Sequence, residues 1–238
     1  MAGINAHQKI NELAPFLLSR ADAYIGVLID DLTTKVTEEP YRMFTSRAEF
    51  RISLRQDNAD LRLTPLGHQL GLASHECMQQ VQKQKAATAQ LLEALKTWKL
   101  TPTQVNAHLH RLGSSPLQEK QAAYQLLKRP ELSWEILEAA DGALGQYLQN
   151  YDQTVLEQVE IQLKYERYLQ KEQELVEKTQ RLEDYRLPAD FDYDCVRALS
   201  AEATEKLKKI RPATLGQATR ISGVSPADIS VLMVYMGR

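Results

Sequence analysis

Residues 153–185 read QTVLEQVEIQLKYERYLQKEQELVEKTQRLEDY, a run with no glycine and no proline. Helices are normally punctuated by those two residues, so the stretch predicts one long helix. Ile161, Tyr165, Tyr168, Leu175, Leu182 and Tyr185 recur at steps of three and four, with Glu172 and Thr179 filling two of the steps. Such a heptad-like seam suits an arm of a helical bundle packed on its own domain, or an intermolecular coiled coil. Two polar seam positions in so short a run favour the first.

The same periodicity extends outward. Helices are predicted over 75–98, 103–111 and 116–128, with one or two short ones over 133–149, punctuated by Pro102, Gly113, Pro116 and Pro130. Thr64-Pro65 reads as a helix start, with Thr as N-cap and Pro at the first helical position. After a linker at 186–194, three short helices are predicted at 201–210, 214–221 and 226–236, the last capped by Ser225. Gly (10) and Pro (9) are scarce among 238 residues, which together with the abundance of Gln, Glu, Leu, Ala and Lys indicates a mainly α protein.

One segment breaks the pattern. YIGVLI at 24–29 is a compact apolar run that reads as a buried strand or core segment, ended in a polar turn by Asp30, Asp31, Thr33 and Thr34. A strand without sheet partners suggests the back portion of a longer protein.

Charge is distributed unevenly. PYRMFTSRAEFRISLR (40–55) carries Arg42, Arg47, Arg51 and Arg55 against the single acid Glu49, in a chain of net charge −2. On a helix, Arg47, Arg51 and Arg55 would form one row beside the anchors Phe50 and Leu54. On a strand, Arg51 and Arg55 would still share a face. We follow the helical reading. Arginine rather than lysine at every position suits bidentate phosphate binding, whereas Asp57 and Asp60 offer local partners for Arg55 or Arg62. The tail 197–238 is also basic, with seven Lys/Arg against three acids.

Other chemistries find little support. Cys77 and Cys195 lack a partner motif, so reduced thiols are expected rather than a disulfide framework or zinc site. The five histidines have no metal-ligand spacing. There is no glycine-rich phosphate loop and no nucleophile elbow, so catalysis contained within these residues is not expected. Residues 214–235 resemble a helix-turn-helix, but Pro226, Ala227, Asp228 and Ser230 would open the reading helix and Asp228 would repel phosphate; DNA recognition is not expected. There is no apolar run of membrane-spanning length and no secretion signal, so a soluble, cytoplasmic protein is expected.

PYRMFTSRAEFR followed by LRQDNADLRLTPLGHQLGL resembles the signature region of the GidA/MnmG family. MAGINAH, DAYIGVLIDDL, EQVEIQLKYERYLQKEQ and RISGVSPADIS extend the likeness over essentially the whole chain. The resemblance implies a flavoprotein that uses FAD and NADH to modify carbon 5 of the tRNA wobble uridine. It adds a carboxymethylaminomethyl or aminomethyl group together with the GTPase MnmE and a methylene-tetrahydrofolate, with a possible homodimer. The family's flavin fingerprint, G-x-G-x-x-G, is absent here, so this chain resembles the C-terminal part of such an enzyme and is expected to be catalytically silent alone. Gly3 and Asn5 would approach the flavin. Arg42, Arg47, Arg51, Arg55 and Arg62 would lie along the tRNA path, and Lys206, Lys208, Lys209, Arg211 and Arg220 would serve tRNA or MnmE. Neither cysteine inherits a role.

The expected organisation is therefore the tail end of an α/β flavin domain (1–36), an arginine-rich connector (37–72), a helical domain (73–190) and a small basic helical subdomain (191–238). The alternative is a structural interaction module with locally paired arginines and no nucleic-acid contact.

Overall fold

A computed structural model describes residues 1–34 and 40–237. The domain boundary expected at 36–37 lies outside them. Helix dominates throughout: in chain order α1 (Ala2–Ile10), α2 (Tyr24–Thr34), α3 (Ala59–Gln69), α4 (His75–Thr97), α5 (Pro102–Arg111), α6 (Ala123–Leu127), α7 (Trp134–Ala140), α8 (Gly142–Leu148), α9 (Gln153–Lys164), α10 (Glu166–Asp184), α11 (Ala201–Ile210), α12 (Leu215–Thr219) and α13 (Pro226–Tyr235). The only sheet among the described residues pairs two-residue strands, β1 (Lys99–Leu100) and β2 (Gln121–Ala122), antiparallel with Lys99 opposite Ala122.

The chain divides into two compact units, one made of Met1–Arg55 with Lys171–Arg238, the other of Gln56–Gln170. This division cuts across the four consecutive segments expected from the sequence. In the continuous unit, α4 turns one face inward through Val81, Thr88, Leu91 and Leu95, and α5 does so through Val105 and Leu109. Leu91, Leu95, Val105 and Leu109 join Leu126, Leu127, Leu137, Leu144, Leu148, Val159 and Leu163 in a single leucine-rich core. Each fully buried leucine contributes about 1.5–3 kcal/mol. The Trp134 indole completes this core by donating to the Leu156 carbonyl at 3.2 Å.

The discontinuous unit has two smaller cores. Leu207, Leu215, Ala218, Ile221, Ile229 and Leu232 gather the C-terminal helices, while Val27, Ala48, Phe50 and Leu54 pack with Tyr24 and Val176. Ser225 caps α13 as expected, and Asp228 returns the bond to the Ser225 amide at 2.9 Å.

Four expectations are corrected. Residues 24–29 are helix rather than strand, and Asp30 to Thr34 continue that helix instead of ending it. The reason lies in its polarity. α2 buries Gly26, Val27, Asp30, Asp31 and Thr34, while Ile25, Ile29 and Leu32 face outward. Residues 1–34 thus hold two helices and no strand. Secondly, Thr64-Pro65 is not a helix start, because α3 begins at Ala59 and carries Pro65 internally. Thirdly, the helix expected at 116–128 shrinks to α6, because Gln121 and Ala122 pair with β1.

Finally, the long helix is broken at Tyr165 (φ −104°, ψ 11°) into α9 and α10. At the break, Glu166 accepts from the Tyr124 hydroxyl and pairs with Lys128 at 2.6 Å. Tyr165, Tyr168 and Leu175 of the expected seam are exposed. Glu172, Val176 and Thr179 form a more sheltered side of α10.

Candidate nucleic-acid interface

The arginine stretch is neither helix nor strand. Residues 40–44 form no regular element, Thr45–Arg47 make one 3-10 turn, and a second turn follows at 50–54. Ala48, Phe50 and Leu54 are buried and tie the segment to α2. The Ile52 and Ser53 amides, which a helix would give to preceding carbonyls, instead donate to the Glu172 carboxylate at 3.0 and 2.8 Å. The Ser53 hydroxyl joins them at 2.7 Å. That substitution of partner is why the expected row of Arg47, Arg51 and Arg55 does not form.

The arginines consequently fall into different environments. Arg42 and Arg51 are exposed and make no ion pair with any described residue. Arg47 is half-buried, 3.6 Å from Asp31 and with its guanidinium 4.4 Å from the centre of the Tyr41 ring. Arg55 donates to the Ile52 carbonyl at 2.7 Å. Arg62 belongs to the other unit, where its Nε donates to Asn58 at 2.9 Å.

Beneath the stretch lies a buried ionic network that sequence reasoning missed. Arg20 donates through Nη1 to Asp31 at 2.7 Å and Asp30 at 3.0 Å. Its Nη2 reaches Glu49 at 2.8 Å and the Arg47 carbonyl at 2.9 Å. Burial alone would lower the Arg20 pKa, but hydrogen bonds to Glu49 and Asp31 outweigh it and raise the value, so the charge is secure. Asp31 also accepts from the Tyr41 hydroxyl at 2.9 Å; burial first and that bond second raise the phenol's pKa. The available signal was the pair of acids, Asp30-Asp31, set directly after an apolar run.

Arg220 joins the same network instead of lining a surface. Its Nε and Nη2 each lie 2.7 Å from an Asp30 oxygen, and its Nη1 is 2.7 Å from Glu183. Of the other basic residues expected on the tail, Lys208 pairs with Asp194 and Arg211 donates to the Ala189 carbonyl at 2.8 Å. Lys206 is half-buried and Lys209 exposed, each without an ion pair to a described residue.

Gly3 and Asn5 do not form a flavin cradle by themselves. The Asn5 carboxamide is engaged at both ends with the Phe16 backbone, donating at 3.0 Å and accepting at 2.7 Å. A Cβ at Gly3 would meet nothing within 4 Å.

Comparison with known proteins places this geometry in a family. Residues 75–173 match the family described as the tRNA modifying enzyme MnmG/GidA C-terminal helical domain, and residues 175–238 match its C-terminal helical bundle. The chain belongs to the MnmG/GidA family. It is 51% identical over 238 residues to the tRNA uridine 5-carboxymethylaminomethyl modification enzyme MnmG of Cytophaga hutchinsonii, covering all of this chain and 38% of that protein. The enzyme of the same name from Listeria monocytogenes is 48% identical, with 99% of this chain and 37% of the relative covered. Among solved structures, Aquifex aeolicus GidA in its form II crystal superposes with a TM-score of 0.79 at 40% identity, over 100% of this chain and 36% of that one. The chain thus spans well under half the length of the MnmG relatives it matches. Among the described residues, no helix is long and apolar enough to cross a membrane.

Proposed function

We propose that this chain is the tRNA-binding and partner-docking part of a longer cytoplasmic enzyme that modifies carbon 5 of the tRNA wobble uridine. In that enzyme FAD and NADH are held mainly by parts of the protein that precede these residues, residues 1–36 are the tail end of the flavin domain, and the present chain is catalytically silent. The observation that carries the reading is the contrast within 40–55. Arg42 and Arg51 stand exposed with no ion pair to a described residue. Arg51 sits on a turn fixed from below by Phe50, Leu54 and Glu172, and Arg42 follows Tyr41, whose hydroxyl is bound to Asp31. A guanidinium held in that way meets a phosphate with little ordering cost. The relatives are named for tRNA uridine modification, which supports tRNA as the source of that phosphate. Lys206 and Lys209 are the tail cations available to tRNA or to the GTPase MnmE.

The test is a salt titration of tRNA binding by the full-length protein. Each phosphate contact contributes a slope of roughly 0.7–0.9 in log affinity against log salt. Arg42→Ala and Arg51→Ala should each weaken binding and reduce that slope. The competing reading, a structural module with locally paired arginines, draws on the partners of Arg47 and Arg220. It requires both variants to bind tRNA as the unaltered protein does.

A further inference from the structure

Arg220 lies in the last fifth of the chain, yet its guanidinium is turned away from solvent, with 13% of the side chain exposed. Its fork grips both oxygens of Asp30 and its remaining nitrogen holds Glu183, so it has no edge left for a phosphate. Asp30 is shared with Arg20. Arg20 in turn divides its donors among Asp30, Asp31, Glu49 and the Arg47 carbonyl. Asp31, whose side chain is wholly buried, holds the Tyr41 hydroxyl and lies beside Arg47. An unbroken line of polar contacts therefore runs from Arg220 to Tyr41 and Arg47, within the arginine segment.

We propose that Arg220 is a positioning residue for the arginine segment, acting through Asp30, Arg20 and Asp31. The physical basis is competition for one cation. Asp30 is satisfied by two guanidinium groups, and removing Arg220 leaves it with Arg20 alone. The Arg20 Nη1 lies 3.0 Å from Asp30 and 2.7 Å from Asp31, so a stronger pull from Asp30 draws it off Asp31 and shifts Nη2 from the Arg47 carbonyl. The backbone at 47–49 then loses its fixed donor. Lysine cannot stand in, because one ammonium does not span both Asp30 oxygens and Glu183 together. The positioning itself is independent of RNA; its bearing on tRNA rests on the reading proposed above.

Hydrogen exchange of the full-length protein tests the positioning directly. In Arg220→Gln the amides of Arg47 and Ala48, which bond to the Phe44 and Thr45 carbonyls, should exchange about tenfold faster. Those of α4 should not change, and Arg181→Gln, an exposed site on α10, should leave all of them alone. Unchanged exchange at 47–48 in Arg220→Gln overturns the proposal. If Arg220→Gln unfolds globally, Arg220→Lys decides on the same amides. A binding cycle adds the readout that a merely structural role would not move. Positioning predicts that Arg220→Gln weakens tRNA binding much less in an Arg51→Ala background than alone. Additive losses would make Arg220 an independent RNA contact and overturn the proposal. Should Arg51→Ala alone leave tRNA binding intact, the tRNA reading fails while the exchange result still stands.

Discussion

Glu172 accepts the Ser53 amide at 2.8 Å, a bond between residues 119 positions apart in the chain. The same carboxylate takes the Ile52 amide and the Ser53 hydroxyl, so one side chain of α10 takes the two amides, Ile52 and Ser53, that a helix would have given to its own carbonyls. Glu172→Ala removes the acceptor shared by the Ile52 amide and Ser53. It should lower stability by about 1–3 kcal/mol, read as a lower urea midpoint at unchanged slope.

Gly26 admits no side chain. A Cβ there would sit 2.1 Å from the Ser19 carbonyl oxygen and 2.7 Å from that of Leu18, both backbone atoms. Gly26→Ala must push α2 off the 18–19 segment, at a cost of about 3 kcal/mol or more. Thermal denaturation should show a lower Tm, with Gly3→Ala, where the same space is open, as the comparison.

Acid should loosen the C-terminal helices through Asp228. Burial opposes its ionisation, but the amides of Ser200 and Ser225 and the Ser225 hydroxyl outweigh it and hold the pKa at about 2, below the usual 3.8. A carboxyl with a lowered folded-state pKa contributes stability that is present above its unfolded value and lost as pH falls through the folded one. That contribution should therefore disappear between about pH 4 and pH 2. Urea unfolding across that range should show a smaller fall in stability for Asp228→Asn than for the unaltered protein.

Arg20 and Arg51 should behave oppositely. Arg20 is buried among Asp30, Asp31 and Glu49. Arg20→Ala should cost about 3–5 kcal/mol, because it deprives buried carboxylates of a shared cation. Arg51→Ala, at an exposed site, should stay within about 0.5 kcal/mol of the original stability while weakening tRNA binding. Equal destabilisation by the two would contradict the environments assigned to them.

The helices that sequence periodicity located best are those whose partners lie nearby. α4, α5, α11 and α13 carry inward residues at helical spacing and local caps, such as Ser74, Ser200 and Ser225, and so specify themselves. The misreadings share another cause. At α2, at the 50–54 turn and at the break near Tyr165, the deciding partner is far away in sequence: Arg220 for Asp30, Glu172 for Ser53, Tyr124 for Glu166. Composition and spacing signal that 40–55 has too much positive charge. They cannot say that Arg47 lies beside Asp31 while Arg42 and Arg51 are left exposed, because that depends on which way α2 turns its acids. Its apolar side chains suggested burial, but the carboxylates went inward.

The split of one compact unit into 1–55 and 171–238 sets an order of assembly. Residues 56–170 leave the ribosome as a complete stretch and can collapse around their leucine core at once. The first 55 residues cannot finish, since Asp30 must wait for a partner 190 positions downstream. Translation therefore cannot close this unit before Arg220 has emerged, and a chain cut short of Arg220 leaves the acidic helix α2 missing a clasp. Emergence of Arg220 becomes a condition for completing the ionic network that Asp30 shares with Arg20.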